Sequence, residues 1–367
     1  MRRLALLFAL LALASGASAA SEEPIVLGGT APLTGASSAS ASAARGAAAY
    51  FEYVNARGGV HGRPLEYLLL DDGSEPARAA DAARVLVEQN EVLAIVDPLG
   101  TERSAETRDY LRARKAPQLF ATAFRPGNEA EGWIYGSYLA RTKPNPRVGV
   151  LYENGAAGQE LVAGLMRGLA PAKSKLVVTA SYEPGAADVQ PQLAELKASG
   201  ANVLALFGTP RIARQASAVA TRLGWRPQFV VGAASGSGSV EGAISISSVK
   251  DPAEPKWRGD AGTRLYRSIM ARYAPGANAR DVLHAYGMAT AYEAVRVLKA
   301  AGATPTRARV GAESRKLRDG SNPFLLPGIT VSTSAADRFP VEQAQLRRWS
   351  QGRWRSFGGL WSSKVVS

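Results

Sequence analysis

Two successive runs of alternating short apolar and amphipathic helical stretches do most to limit what this chain can become. In the first run, Ile25–Gly29 is a short apolar segment that breaks at Gly28-Gly29, and Ser40–Ala56 has helical periodicity closed by Gly58-Gly59. Leu65–Leu70 reads as a strand closed by Asp71-Asp72-Gly73, and Pro76–Asn90 as an amphipathic helix with Ala79, Ala83, Leu86 and Val87 on one face. Leu93–Val96 and Gln118–Phe120 are strand-like; Arg103–Arg114 and Gly132–Arg141 are helical. The rhythm restarts after Lys143-Pro144-Asn145-Pro146. Strands are expected at Val148–Tyr152, Leu176–Tyr182, Val203–Phe207 and Phe229–Val231, and helices at Gln159–Leu169, Val189–Ser199 and Ile212–Leu223. Two long helices follow, Gly262–Tyr273 and Asp281–Ala301, and the tail Val341–Phe357 alternates as a hairpin around Arg353-Trp354. Strand–helix alternation places crossover helices over parallel, doubly wound sheets, so the fold class is α/β with two such lobes. Ligands of such sheets bind outside the carboxyl ends of the strands, in the loops that lead into helices.

The 367 residues suffice for one large or two ordinary domains, at about 100–200 residues each. There is no Cys, which excludes disulfides, thiolate metal sites and cysteine nucleophiles. The only histidines are His61 and His284, so a multi-histidine metal site is excluded and a Ser–His relay would have to use one of these two. His61 sits in a turn-rich connection, Gly59 to Pro64, and His284 on a helix as a packed or surface residue. The formal net charge is +13. The arginines are scattered, with only short groups such as Arg347-Arg348 and Arg353 to Arg355, which reads as a solvated basic surface and not a nucleic-acid interface.

The start of the chain reads as a targeting segment. Arg2 and Arg3 precede the apolar run Leu4–Leu13, and Ala17-Ser18-Ala19 has the A-x-A form of a cleavage site. The apolar run is shorter than the about 20 residues a membrane-spanning helix needs. The expected mature protein is exported, most simply to a periplasm, with residues 1–19 removed.

Several chemistries lack their motifs. No G-x-x-x-x-G-K-[ST] occurs, and Gly28-Gly29-Thr30 leads into Pro32 without forming G-x-G-x-x-G. Gly232-Ala233-Ala234-Ser235-Gly236 places its serine one position too late for a nucleophile elbow. Asp71 and Asp72 are adjacent at a strand end, so they point to opposite faces and read as a turn, not a carboxylate pair. No cofactor is expected.

The specific signal is the ordered set of short motifs. It begins with Leu27-Gly28-Gly29-Thr30-Ala31-Pro32-Leu33-Thr34-Gly35, Arg45-Gly46-Ala47-Ala48-Ala49-Tyr50-Phe51 and Val54-Asn55-Ala56-Arg57-Gly58-Gly59-Val60-His61-Gly62-Arg63. It continues through Asp71-Asp72-Gly73, Leu99-Gly100-Thr101, Pro117-Gln118-Leu119-Phe120-Ala121-Thr122, Glu131-Gly132-Trp133-Ile134-Tyr135 and Leu196-Lys197-Ala198-Ser199-Gly200-Ala201. It reappears at Leu326-Pro327-Gly328-Ile329 and Gly352 to Gly358. Over nearly the whole mature chain this resembles the periplasmic solute-binding proteins of the branched-chain amino acid type, which serve ABC importers and have the type I periplasmic binding fold.

The resemblance implies two lobes joined by three crossovers that close on a small ligand. Lobe 1 would be 21–127 plus 250–330, and lobe 2 would be 128–249 plus 331–367. In the family, first-lobe loops hold the ligand carboxylate with backbone N–H groups and hydroxyls. The matching positions are Gly100, Thr101 and Ser104, then Ala121, Thr122 and Ala123, with Ser37 and Ser38 in the loop after the first strand. Glu153 is the second-lobe candidate. The implied partners are a small organic acid or amino acid and an inner-membrane ABC permease, the protein being a monomer that catalyses nothing. A sensory ligand-binding subunit, a hydrolase on the same scaffold, and a protein that has lost its ligand remain open alternatives.

The chain also departs from the family. Only eight residues, Ala123–Ala130, separate Thr122 from Glu131, where relatives carry a longer segment with the first crossover. The loop Gly232–Ser239 has no acidic residue before Glu241, whereas amino-acid-binding members place one there for the ligand's ammonium. Ala stands in Glu153–Gly158 where relatives often show an aromatic. An unpaired buried ammonium is costly. The expectation is therefore an organic acid without an α-amino group rather than leucine or valine.

Overall fold

The computed structural model describes residues 23–362, apart from 36, 100–101, 121–123, 173–174, 236–239 and 338. The leader at 1–19 lies outside the described residues. The first run builds β1 (Ile25–Ala31), α1 (Ser42–Asn55), β2 (Leu65–Asp71), α2 (Pro76–Arg84), β3 (Ala94–Val96), α3 (Glu102–Ala113) and β4 (Gln118–Leu119). The four strands form a parallel sheet in the order β2-β1-β3-β4. Beyond α2 the helical path continues through Val85–Gln89 with a wider π turn.

β1 does not break at Gly28-Gly29, as the sequence suggests; it runs on to Ala31. The two glycines answer to packing. A Cβ on Gly29 would lie 2.1 Å from the Tyr67 hydroxyl, and one on Gly28 would press on Ile95 and Leu86 at 2.9–3.1 Å. Tyr67 thus crosses β1 from the neighbouring strand and donates to the Val96 carbonyl at 2.8 Å.

The second run contributes α4 (Asn128–Thr142), β5 (Arg147–Glu153), α5 (Ala156–Leu169), β6 (Lys175–Tyr182), α6 (Gln190–Ala198), β7 (Val203–Phe207), α7 (Pro210–Arg222), β8 (Gln228–Val231) and β9 (Ile244–Ser247). The chain returns through α8 (Ala261–Tyr273), α9 (Val282–Ala301), α10 (Arg307–Glu313) and a two-strand ladder, β10 (Arg318–Asp319) and β11 (Val331–Ser332). It ends in the hairpin β12 (Gln343–Ser350) and β13 (Arg353–Ser362). The second sheet has seven strands, ordered β13-β12-β9-β8-β7-β5-β6, parallel from β9 to β6 and antiparallel at β12 and β13.

Each sheet has its own buried core, and the chain passes between them three times. Phe124 lies in the core of the first sheet and Ile134 in that of the second. The chain returns between Ile246 and Val249 and leaves again between Val341 and Ala344. Residues 331–341, assigned from sequence to lobe 2, contribute Val331 and Val341 to the first core instead. The β11 ladder to Arg318–Asp319 ties them there.

Glycine spacing sets how closely the helices approach. Gly132 and Gly136 of α4 face Gly164 and Gly168 of α5, and a Cβ on any of the four would come within 1.9–2.4 Å of a main-chain oxygen on the partner helix. The second lobe therefore contains a helix pair packed backbone to backbone. Its α4 starts at the first passage between the cores, so the packing also fixes where that passage enters.

Candidate functional site

In an open α/β sheet the place to look is the carboxyl end of the strands, at the point where the strand order reverses. In the first sheet this lies between β1 and β3. Thr30 at the end of β1 donates its N–H to Asp97 Oδ1 at 2.9 Å, and its hydroxyl lies 3.5 Å from the same oxygen. Both residues are buried. A cavity of about 20 Å³ opens beside them, lined among others by Ala31, Pro32, Ser40, Pro98 and Leu99.

The loop after β1 is held by acid–hydroxyl contacts. Asp71 accepts from the Thr34 hydroxyl at 2.6 Å, from Thr34 N at 3.1 Å and from Gly73 N at 2.9 Å. These bonds, the Thr34 hydroxyl first, hold its carboxyl down to about 2. Asp71 is thus a loop anchor at a strand end, as its sequence context suggested. Ser74 Oγ donates to Thr34 O and accepts from Ser37 N at 3.0 Å. Ser37 and Ser38 are exposed on this loop, and Ser37 makes no capping bond with its hydroxyl.

Gly100, Thr101, Ala121, Thr122 and Ala123 lie outside the described residues, and of Ser104 only the backbone, in the first turn of α3, is described. The flanks of 121–123 are well fixed. Phe120 and Phe124 are both buried and meet edge to face at 5.4 Å, and Phe124 N donates to the Tyr286 hydroxyl at 2.5 Å.

On the second sheet the order reverses between β5 and β7. Glu153 is half-buried at the end of β5, opposite Tyr182 of β6. Burial raises the Tyr182 hydroxyl to about 12, with the Glu153 charge adding to it. Tyr182 Oη accepts from Thr209 N at 3.3 Å, and Ser235 Oγ accepts from Gly208 N at 3.0 Å. The loops after β7 and β8 are thereby fastened together.

Sequence reasoning missed the centre of this arrangement. Glu131, in the first turn of α4, is almost fully buried. Its Oε1 accepts from Ala233 N at 2.6 Å and from the Tyr135 hydroxyl at 2.9 Å, and its Oε2 pairs with Arg125 Nη1 at 2.6 Å. The first passage thus has an internal ion pair that also pins the loop after β8. Glu241 points elsewhere and accepts from Gln351 N at the hairpin turn. Of the histidines, His61 Nε2 lies 2.9 Å from Lys299 O with a positive φ, and His284 is buried within α9.

Comparison with known proteins agrees with this geometry. The family model described as periplasmic binding protein matches residues 24–353. The Leu/Ile/Val-binding protein homolog 3 of Brucella melitensis is 27% identical over 211 residues, which is 53% of this chain; the match spans 56% of that relative's own length. A possible leucine/isoleucine/valine-binding protein from Rhodopirellula baltica superposes with a TM-score of 0.81 at 18% identity, covering 93% of this chain and 98% of that one. An ABC transporter solute-binding protein from R. palustris, solved in complex with benzoate, superposes at 0.73 with 18% identity, covering 91% and 96%. Two α/β lobes, three passages between them and a match over nearly the whole described chain agree: this chain belongs to the periplasmic binding protein family, with the two-lobed fold of the leucine/isoleucine/valine-binding type.

Proposed function

We propose that this chain is the extracytoplasmic substrate-binding subunit of an ABC importer. Its ligand, on this reading, is a small organic acid without an α-amino group. The ligand carboxylate would meet the backbone N–H groups and hydroxyls of the first-lobe loops: Ser37 and Ser38, Gly100, Thr101 and Ser104, and Ala121, Thr122 and Ala123. A helix N-terminus such as that of α3 favours an anion. Residues 1–19 would be removed on export, and the mature monomer would hand its ligand to an inner-membrane permease.

One observation carries the ligand class. Glu131, the carboxylate that contacts the second-lobe loop after β8, is already neutralised by Arg125 and saturated by Ala233 N and the Tyr135 hydroxyl. A free amino acid brings an ammonium that needs an acceptor, preferably a carboxylate. Glu241 is turned toward Gln351, and the loop itself offers Gly, Ala and Ser. That a protein of the same fold was solved with benzoate, an acid with no amino group, supports the reading.

Titration calorimetry of the mature protein with leucine and with its 2-oxo analogue tests it. The oxo acid should bind more tightly. Tighter binding of leucine, lost on Glu153→Gln, would overturn the ligand class and identify Glu153 as the ammonium partner.

A further inference from the structure

Arg347 is a cation in an unusual position. It stands on β12 at a register shift between Gln345 and Arg347, is only 6% exposed, and has Ser245 of β9 on one side and Ser356 of β13 on the other. Among the described residues its side chain makes no hydrogen bond and no ion pair within 4 Å, and its buried Nε has no partner. Its guanidinium lies over the Trp354 ring at 4.5 Å. A buried charge without a direct partner is costly, so its neighbourhood must compensate.

A carboxylate next to another passage between the cores is held on its side of the hairpin. Residues directly opposite in an antiparallel pair share a face, so Ser356 points to the side where Arg347 does. Ser356 donates its N–H and hydroxyl to the two oxygens of Glu254 at 2.9 and 2.8 Å, which sets that buried carboxylate on the Arg347 side of the hairpin. Asp251 precedes it, shortly after the second passage, and takes Ala253 N at 2.8 Å. Burial lowers the Arg347 pKa, and attraction to Asp251, Tyr135, Glu131 and Glu254 opposes the drop. Glu131 lies within the first passage, Asp251 and Glu254 follow the second, and Arg347 follows the third.

We infer that Arg347 is a positioning residue of the hinge: a buried cation just after the third passage that faces, through Ser356, the Glu254 carboxylate that follows the second, and whose uncommitted guanidinium sets the balance between open and closed lobes. The inference rests on the two-lobed trap reading but not on the identity of the ligand. No direct bond ties Arg347 to these acids, so its charge acts on the chain beside the passages through space, with Glu254 held next to it by Ser356. Removing the charge should therefore alter the resting geometry of the empty protein.

The chain has no Cys, so a spin-label pair can be introduced cleanly at exposed positions on either side, Glu52→Cys and Glu195→Cys. Inter-label distances are measured by pulsed electron resonance on the ligand-free protein. Arg347→Met should change the closed fraction by about fivefold or more, Arg347→Lys should largely restore it, and Asp251→Asn should shift it in the same direction as Arg347→Met. Adding Asp251→Asn to Arg347→Met should then shift it less than the two single changes together. Unchanged distances in folded Arg347→Met protein would overturn the inference. So would additive effects of the two changes. Unchanged distances with lost binding of the 2-oxo acid would instead make Arg347 a ligand contact. If neither test acid binds but the distances respond as expected, the ligand class fails while the hinge role stands.

Discussion

Arg125 Nη1 lies 2.6 Å from Glu131 Oε2, with the two side chains 17% and 1% exposed. The pair joins residues six positions apart at the first passage, and Glu131 carries the loop after β8 on its other oxygen. Breaking one side of such a pair leaves an uncompensated buried charge, which typically costs about 3–5 kcal/mol, whereas replacing both sides by apolar groups is often close to neutral. Arg125→Met should therefore destabilise the protein by about 3 kcal/mol in urea melts. The double change Arg125→Met with Glu131→Leu should recover much of that. Hydrogen exchange at the Ala233 amide should speed up in the double variant, because its acceptor is gone. An Arg125→Met protein as stable as the parent would show that the pair is solvent-screened.

The glycines of the α4–α5 contact make a second prediction. Alanine is the better helix former by about 1 kcal/mol. At Gly164, however, its methyl would sit 1.9 Å from the Glu129 carbonyl oxygen, and that oxygen is main chain and cannot rotate away. The helices would have to separate, and overpacking costs about 1–3 kcal/mol or more. Gly164→Ala should lower the unfolding midpoint in spite of its propensity. The same change at Gly155, where nothing lies within 4 Å, is the control.

Glu293 gives a pH dependence. It is buried on α9, accepts from Asn322 Nδ2 at 3.0 Å and has Arg296 at 3.6 Å. Burial raises its carboxyl from 4.5 to about 8, reinforced by the nearby Asp319 carboxylate. The folded protein then holds this proton at a pH where the unfolded chain has released it. Its contribution to stability is complete below about 4.5, falls as pH rises, and levels off above about 8. Glu293→Gln keeps an oxygen for Asn322 and removes the titration. Wild type minus variant, followed by urea midpoints from pH 4 to pH 9, should show stability that declines across this window. A difference that is flat or rises with pH would show that Glu293 is ionised in the fold.

What was legible in the sequence follows from the range of the interactions. The strand–helix alternation and the tail hairpin are local patterns, and the elements lie close to where periodicity puts them; Gln351 and Gly352 turn the hairpin with positive φ. β9 was missed because Ile244–Ser247 is four residues held by β8 and by β12, about a hundred residues away. Gly28 and Gly29 read as a break because their reason, Tyr67 and Leu86, lies on other elements. At the site, the strand-end loops were locatable, since their position follows from the sheet. The roles of Glu131 and Arg347 were not. Glu131 lies in a segment that the family resemblance highlights, but its partner Ala233 is 102 positions away. No local pattern marks Arg347 as buried.

The last prediction concerns the hydrogen bond that holds Phe124. Phe124 N donates to the Tyr286 hydroxyl, a bond buried at the first passage and spanning 162 positions. Burial pushes the Tyr286 hydroxyl up to about 12, so it remains protonated throughout the physiological range. Tyr286→Phe keeps the ring and removes only the acceptor, leaving a main-chain N–H without a partner in a dry site. An unsatisfied buried donor costs about 1–3 kcal/mol. The variant should lose about that much stability in urea melts. Because Phe124 directly follows Ala121, Thr122 and Ala123 in the chain, hydrogen exchange in the peptide covering them should accelerate more than in α9 itself. If Thr122 holds the ligand carboxylate, affinity for the 2-oxo acid should fall in the same variant, with the enthalpy of binding less favourable. Full stability with unchanged exchange would mean that water replaces the tyrosine as the acceptor of the Phe124 N–H.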